Sequence, residues 1–187
     1  MKYFFTRKLM FVKECDAVVC YPGGFGTMDE AMEVLTLVQT GKRDVVPIIL
    51  ADAPGGTYWK MLDEFIRKEL LAGGMISPED LHLYSVTEDF EEAADEIMQF
   101  YKNYHSMRYV GRDLVLRIRE PLPQESLDIV NRDFADILNS GQFVQTNKLE
   151  EEEDDENTNG LTRLVAHFNR RNHGRLRQLI NFINTQM

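Results

Sequence analysis

Long apolar runs are missing from this 187-residue chain. That removes a membrane-spanning helix, which needs about 20 consecutive apolar residues. Positive charge is scarce. Lys and Arg number 21 against 31 Asp and Glu, a net charge of −10, whereas a general nucleic-acid binder carries a basic face. Cysteine is almost absent. Cys15 and Cys20 are the only two, at an offset that matches no familiar metal spacing and around an apparent buried strand. They read as free thiols in a reducing cytoplasm. Secretory-leader architecture is lacking at the start, where Arg7 and Lys8 precede only the short apolar patch Leu9 to Val12. The four histidines, His82, His105, His167 and His173, have no ligand spacing, so neither a metal nor another cofactor is expected.

What is present is ordinary for a globular protein: 43% hydrophobic and 28% charged residues, in a chain long enough to bury a sizeable core. Ala17 to Tyr21 and Val45 to Leu50 read as buried strands, and Leu81 to Val86 as a third. Helical spacing runs through Met28, Ala31, Met32, Leu35 and Val38. It returns over Thr57 to Leu71 with Trp59 in the core, and Gly73-Gly74 is its stop. Thr87 caps a further helix to about Tyr104. This βαβαβα order predicts an α/β fold with a doubly wound parallel sheet. Composition shifts at Tyr104 to Asp113. Beyond it, Leu114 to Ile118 reads as a strand, Pro121 to Ser140 as a helix ended by Gly141, Leu161 to Phe168 as a strand and Gly174 to Ile183 as a helix. The expected organisation is a Rossmann-like nucleotide-binding domain over 1–106 and a small α+β C-terminal appendage over 107–187. The acidic loop 150–160 in the appendage is expected to be solvated.

The chemistry concentrates in Pro22-Gly23-Gly24-Phe25-Gly26-Thr27-Met28-Asp29-Glu30. A strand feeding a glycine-rich turn feeding a helix is how α/β proteins hold phosphate, because backbone N–H groups and the helix N-terminus face the anion. Thr27 can add a hydroxyl donor. Glu30 is expected in the first helical turn, with Asp29 adjacent and Glu33 one turn on. Acids at a helix start often do no more than complement its dipole. A tight glycine turn can also bind nothing. Gly55-Gly56-Thr57-Tyr58, a second turn between strand and helix, reads as an ordinary βα loop bordering the same cleft.

Arg7-Lys8, the stretch Pro22 to Glu30, and Gln39-Thr40-Gly41 together resemble the LOG family of nucleotide 5′-monophosphate phosphoribohydrolases, often labelled lysine decarboxylases. The resemblance covers about Tyr3 to Tyr104. It implies a modified Rossmann fold, a homodimer, and hydrolysis of the N-glycosidic bond of a nucleoside 5′-monophosphate to free base and ribose 5-phosphate. AMP and cytokinin riboside monophosphate are the substrates it suggests. Arg7 and Glu30 resemble the catalytic pair, Gly23, Gly24, Gly26 and Thr27 would bind phosphate, and Lys8 and Glu33 would lend support. Family members begin with a strand and a GGGxxGLM turn that has no counterpart here, so the chain reads as the C-terminal part of such an enzyme. Some relatives carry molybdenum cofactor, which leaves a non-catalytic nucleotide- or cofactor-binding protein as the alternative.

The residue types suit the implied chemistry. Glycosidic cleavage passes through an oxocarbenium-like ribosyl cation, which a fixed carboxylate stabilises, or whose attacking water it aligns. The guanidinium of Arg7 suits forked contacts to phosphate or carboxylate. Arg170, Arg171, Arg175 and Arg177 form a local basic cluster, read either as a solvated helix face paired with the acidic loop or as a site for an anionic effector or partner chain.

Overall fold

The computed structural model describes residues 10, 12–152 and 158–186. Contacts divide the chain into two units, Met1–Ile97 and Met98–Met187.

In the first unit, three short strands form a parallel sheet in the order β1 (Val18–Cys20), β2 (Ile48–Ala51), β3 (Ser85–Thr87). Val18, Val19 and Cys20 lie opposite Ile48, Ile49 and Leu50, and Ile49, Leu50 and Ala51 opposite Ser85, Val86 and Thr87. Parallel strands are covered on both faces, so a continuous apolar run suits the central strand, and all four residues of β2 are buried. Alternate residues then sort by face. Cys20 and Leu50 pack with Ala31 of α1 (Phe25–Gln39) and Trp59 of α2 (Tyr58–Phe65). Ile49 and Ala51 pack instead with Ala93 of α3 (Phe90–Phe100). Helices on opposite faces make the sheet doubly wound, as the alternating pattern predicts. Ala31, Val34 and Val38 form the buried stripe of α1. Trp59 is fully buried, and its indole N–H donates to the Ala51 carbonyl at 3.1 Å.

The third strand is shorter than expected. Pro78–Leu83 is a 3-10 helix, started by a reciprocal cap in which Ser77 and Asp80 each satisfy the other's backbone. That cap takes Leu81 to Leu83 into the turn, leaving only Ser85–Thr87 for the sheet. The α2 helix relaxes into a π-helical segment, Ile66–Leu71, before Gly73-Gly74. Asp89, rather than Thr87, serves the start of α3, accepting from the Glu91 N–H at 2.7 Å.

The second unit carries an antiparallel sheet in the order β4 (Tyr104–Val110), β5 (Asp113–Ile118), β7 (Thr162–Phe168), β6 (Leu138–Thr146), with α4 (Gln124–Asp133) and α5 (His173–Thr185). The helix expected over Pro121 to Ser140 is a correction. It stops at Asp133, a short 3-10 turn follows at Ala135–Ile137, and Leu138 is already paired with Phe168. Val130, Phe134 and Ile137 are all buried, so their helical spacing carries on across a change of element. Leu176, Leu179, Ile180 and Ile183 bury one face of α5. From the same helix, the Asn184 side-chain oxygen accepts the N–H groups of both Asn103 and Tyr104 at 2.8 Å.

The acidic loop is also corrected in part. Glu152 has no exposed side-chain surface. It accepts from Arg117 Nη2 and Arg163 Nε, each at 2.8 Å, and from the Leu149 N–H at 3.1 Å. Arg163 Nη1 goes on to the Thr158 carbonyl at 2.7 Å. The clamp therefore holds Glu152 and Thr158 of the acidic loop 150–160, whose residues 153–157 lie outside the described ones. The basic cluster disperses among separate partners. Arg170 lies over the Tyr109 ring, Arg177 lies over Phe100 and bonds Asn181, and Arg175 pairs with Asp136.

Candidate functional site

The carboxyl ends of β1, β2 and β3 lead into three loops, and side chains tie these loops to one another. After β1, the chain passes Tyr21, Pro22 and Gly23 to Gly24, the N-cap of α1. As a glycine, this N-cap residue offers no side chain to cap the helix. Its first amides to fold back are those of Thr27 and Met28, onto the Gly24 carbonyl at 3.1 and 3.2 Å. The N–H groups of Phe25 and Gly26 belong to the first helical turn, so they have no intrahelical acceptor. An added Cβ at Gly24 or Gly26 would meet no described atom within 4 Å. Packing gives no reason for glycine at either position, and the bare backbone leaves room for close approach. At Gly23 the reason is internal, because a Cβ would lie 2.2 Å from Thr27 Oγ1. The threonine side chain thus folds over the glycine.

A cleft of about 370 Å³ opens beside this turn, lined by Cys20, Tyr21, Pro22, Thr27, Glu30 and Val34 among others. It runs along the outer side of β1, which among the described residues pairs only with β2. Glu30 is half-buried. Because α1 begins at Phe25, Glu30 lies in the second turn and not the first, so the helix has no acid in its first turn. The dipole explanation for Glu30 weakens accordingly, since that effect is confined to the first turn. Burial, and then the negative charge of Glu30, push the Cys20 thiol up. Cys20 therefore stays a neutral thiol and is no nucleophile.

The structure brings Thr27 and Glu30 into one cleft; Gly23, Gly24 and Gly26 are exposed in the turn between Pro22 and Thr27 and are not part of its lining. Glu33 is half-buried on α1 and is not part of the cleft lining. Arg7 and Lys8 lie outside the described residues.

Sequence reasoning undervalued the second loop. The Tyr58 hydroxyl donates to the Gly23 carbonyl at 2.8 Å. The Tyr58 N–H donates to the buried Asp52 carboxylate at 2.9 Å, and so does that of Ala53. The third loop joins through Glu88, which accepts the Gly55 N–H at 2.6 Å and pairs with Lys60. Tyr21 and Phe90 meet edge to face at 5.8 Å, each 55% exposed, and Phe25 is 96% exposed. Glycines after a strand were the available signal for the second loop. Nothing in sequence spacing pairs Tyr58 with Gly23, 35 residues away.

A family model described as "Possible lysine decarboxylase" matches residues 1–97. Two cytokinin riboside 5′-monophosphate phosphoribohydrolases of Arabidopsis thaliana are similar to the chain. One is 39% identical over 77 residues, 41% of this chain and 34% of the relative. The other is 40% identical over 72 residues, 38% of this chain and 32% of the relative. A protein of Oryza sativa subsp. japonica, named as a probable enzyme of the same kind, is 31% identical over 94 residues, covering 50% and 40%. The chain thus spans about a third to two fifths of these relatives' length. Among the described residues no helix is long and apolar enough to cross a membrane.

Proposed function

The chain belongs to the LOG family, whose model carries the lysine decarboxylase description, and from that premise we propose that it takes part in hydrolysing the N-glycosidic bond of a nucleoside 5′-monophosphate. The observation that carries the reading is the Glu30 carboxylate, which lines one cleft with Thr27 on a helix whose N-cap residue, Gly24, supplies no side-chain cap. The phosphate docks on the amides after Pro22 and on the Thr27 hydroxyl. Ribose then lies over Glu30, and the exposed rings of Tyr21 and Phe25 offer faces for the base. As the C1′–N bond breaks, its electron pair leaves with the base. The Glu30 carboxylate stabilises the ribosyl cation and orients the water that attacks C1′. The proton lost by that water balances the one the departing base takes up. Arg7 holds phosphate or orients Glu30, with Lys8 and Glu33 in support, and the working form is a homodimer. The relatives' names support cytokinin riboside monophosphate as substrate, and AMP is the simplest nucleotide of the same shape.

The test is incubation of the protein with AMP and with cytokinin riboside monophosphate, followed by chromatography for free base and ribose 5-phosphate. Release is expected, and Glu30→Gln is expected to lower kcat on the order of a thousandfold while nucleotide affinity changes by less than about threefold. Turnover by Glu30→Gln near that of the parent defeats the assignment. Tight nucleotide binding without release favours the non-catalytic alternative.

A further inference from the structure

Beyond the glycine-rich turn itself, we infer that Tyr58, from the second βα loop, is a positioning residue that aims the phosphate-binding amide of Gly24. The inference rests on the nucleotide reading above. A peptide unit is planar and trans, so the carbonyl of one residue and the N–H of the next point in opposite directions. The Tyr58 hydroxyl holds the Gly23 carbonyl at 2.8 Å. Fixing that oxygen fixes the plane of the Gly23–Gly24 peptide and turns the Gly24 N–H away from the second loop. Gly23 and Gly24 are exposed, and an unanchored glycine peptide rotates easily.

Tyr58 is itself held at two points. Its N–H is bound by Asp52, at the end of β2, at 2.9 Å. Its ring meets the fully buried Trp59 edge-on at 4.7 Å. The loop before it needs Gly56, because a Cβ there would lie 2.2 Å from the Asp52 carboxylate. The Gly55-Gly56-Thr57-Tyr58 turn thereby acquires a role that an ordinary βα connection does not explain. It carries one hydroxyl from the end of β2 to the back of the neighbouring turn. A group held by rigid neighbours transmits orientation, and orientation of a donor decides its worth to an anion.

The experiment compares AMP and adenosine, which differ only in the phosphate, by calorimetric titration of the full chain and of Tyr58→Phe. The expected result is about a fivefold loss of AMP affinity in the variant, with adenosine affinity equal in the two proteins and the melting temperature nearly unchanged. Tyr58→Leu, which also lacks the hydroxyl, should give the same change in the AMP-to-adenosine ratio. That ratio is internal to each sample, so a reduced folded fraction does not imitate it. If the parent protein binds AMP and the variant binds it equally well, or loses adenosine in equal measure, Tyr58 has no such role and the nucleotide reading survives. If the parent binds neither ligand, the nucleotide reading falls and this inference with it.

Discussion

At the residue scale, two glycines serve neighbours rather than their own backbone. A methyl group on Gly23 would strike the Thr27 hydroxyl and force the side chain off its place over the turn. Gly23→Ala is therefore expected to weaken AMP binding on the order of tenfold to a hundredfold, with the melting temperature shifted by only a few degrees. Titration calorimetry beside a melting curve separates the two effects, and unchanged affinity would place the phosphate elsewhere. Gly56→Ala acts differently. The added methyl displaces the Asp52 carboxylate from the Ala53 and Tyr58 amides. A lost helix-start acceptor costs about 1–2 kcal/mol, readable as a lower urea midpoint. The Pro22 to Thr27 turn was visible in the sequence because glycine, proline and a following hydrophobic period are local signals. The weight of Tyr58 was not, since it depends on two strand ends lying side by side.

At the element scale, the acidic segment shows charge composition misleading a reading of solvation. A run of acids is ordinarily a solvated stretch, yet Glu152 is enclosed by two guanidinium groups with no exposed side-chain surface. Burial alone would raise its carboxyl, but hydrogen bonds from Arg163 and Arg117 and from the Leu149 N–H hold it down to about 2, against 4.5 for an ordinary glutamate. Removing one partner of a buried charge cluster leaves the others unpaired, so Glu152→Gln is expected to cost about 3–5 kcal/mol. The pH dependence follows from the sign of the shift. The folded carboxyl titrates below its unfolded value, so its contribution is complete above about pH 4.5 and is lost as pH falls through about 2. The stability gap between parent and Glu152→Gln, measured by denaturant melts across that range, should shrink toward acid. A gap independent of pH would show that the carboxylate is not what stabilises the clamp. The third strand and the α4 helix differ from their sequence-based bounds for a related reason. A reciprocal cap at Ser77 and Asp80 and a strand pairing of Leu138 with Phe168 each override a local apolar pattern.

At the scale of the whole molecule, a ligand that binds only the folded form stabilises it by mass action. At a hundredfold excess over Kd, AMP is expected to add about 2.7 kcal/mol, seen as a higher melting temperature that Gly23→Ala and Tyr58→Phe both reduce. A melting temperature indifferent to AMP at every concentration would oppose nucleotide binding altogether. The sequence by itself determined the α/β class, the parallel first unit and the place of the glycine-rich turn, because these follow from the period of apolar residues and from glycine, all properties of neighbours along the chain. Tertiary structure alone decided that Glu30 and Thr27 share a cleft, that a tyrosine from one loop grips the carbonyl of another, and that one glutamate of an acidic run is buried between two arginines. The tyrosine grip and the buried glutamate join residues distant in sequence, and the cleft of Thr27 and Glu30, near neighbours on one helix, is walled by β1 and Val12; only the packing of strands and helices sets these distances.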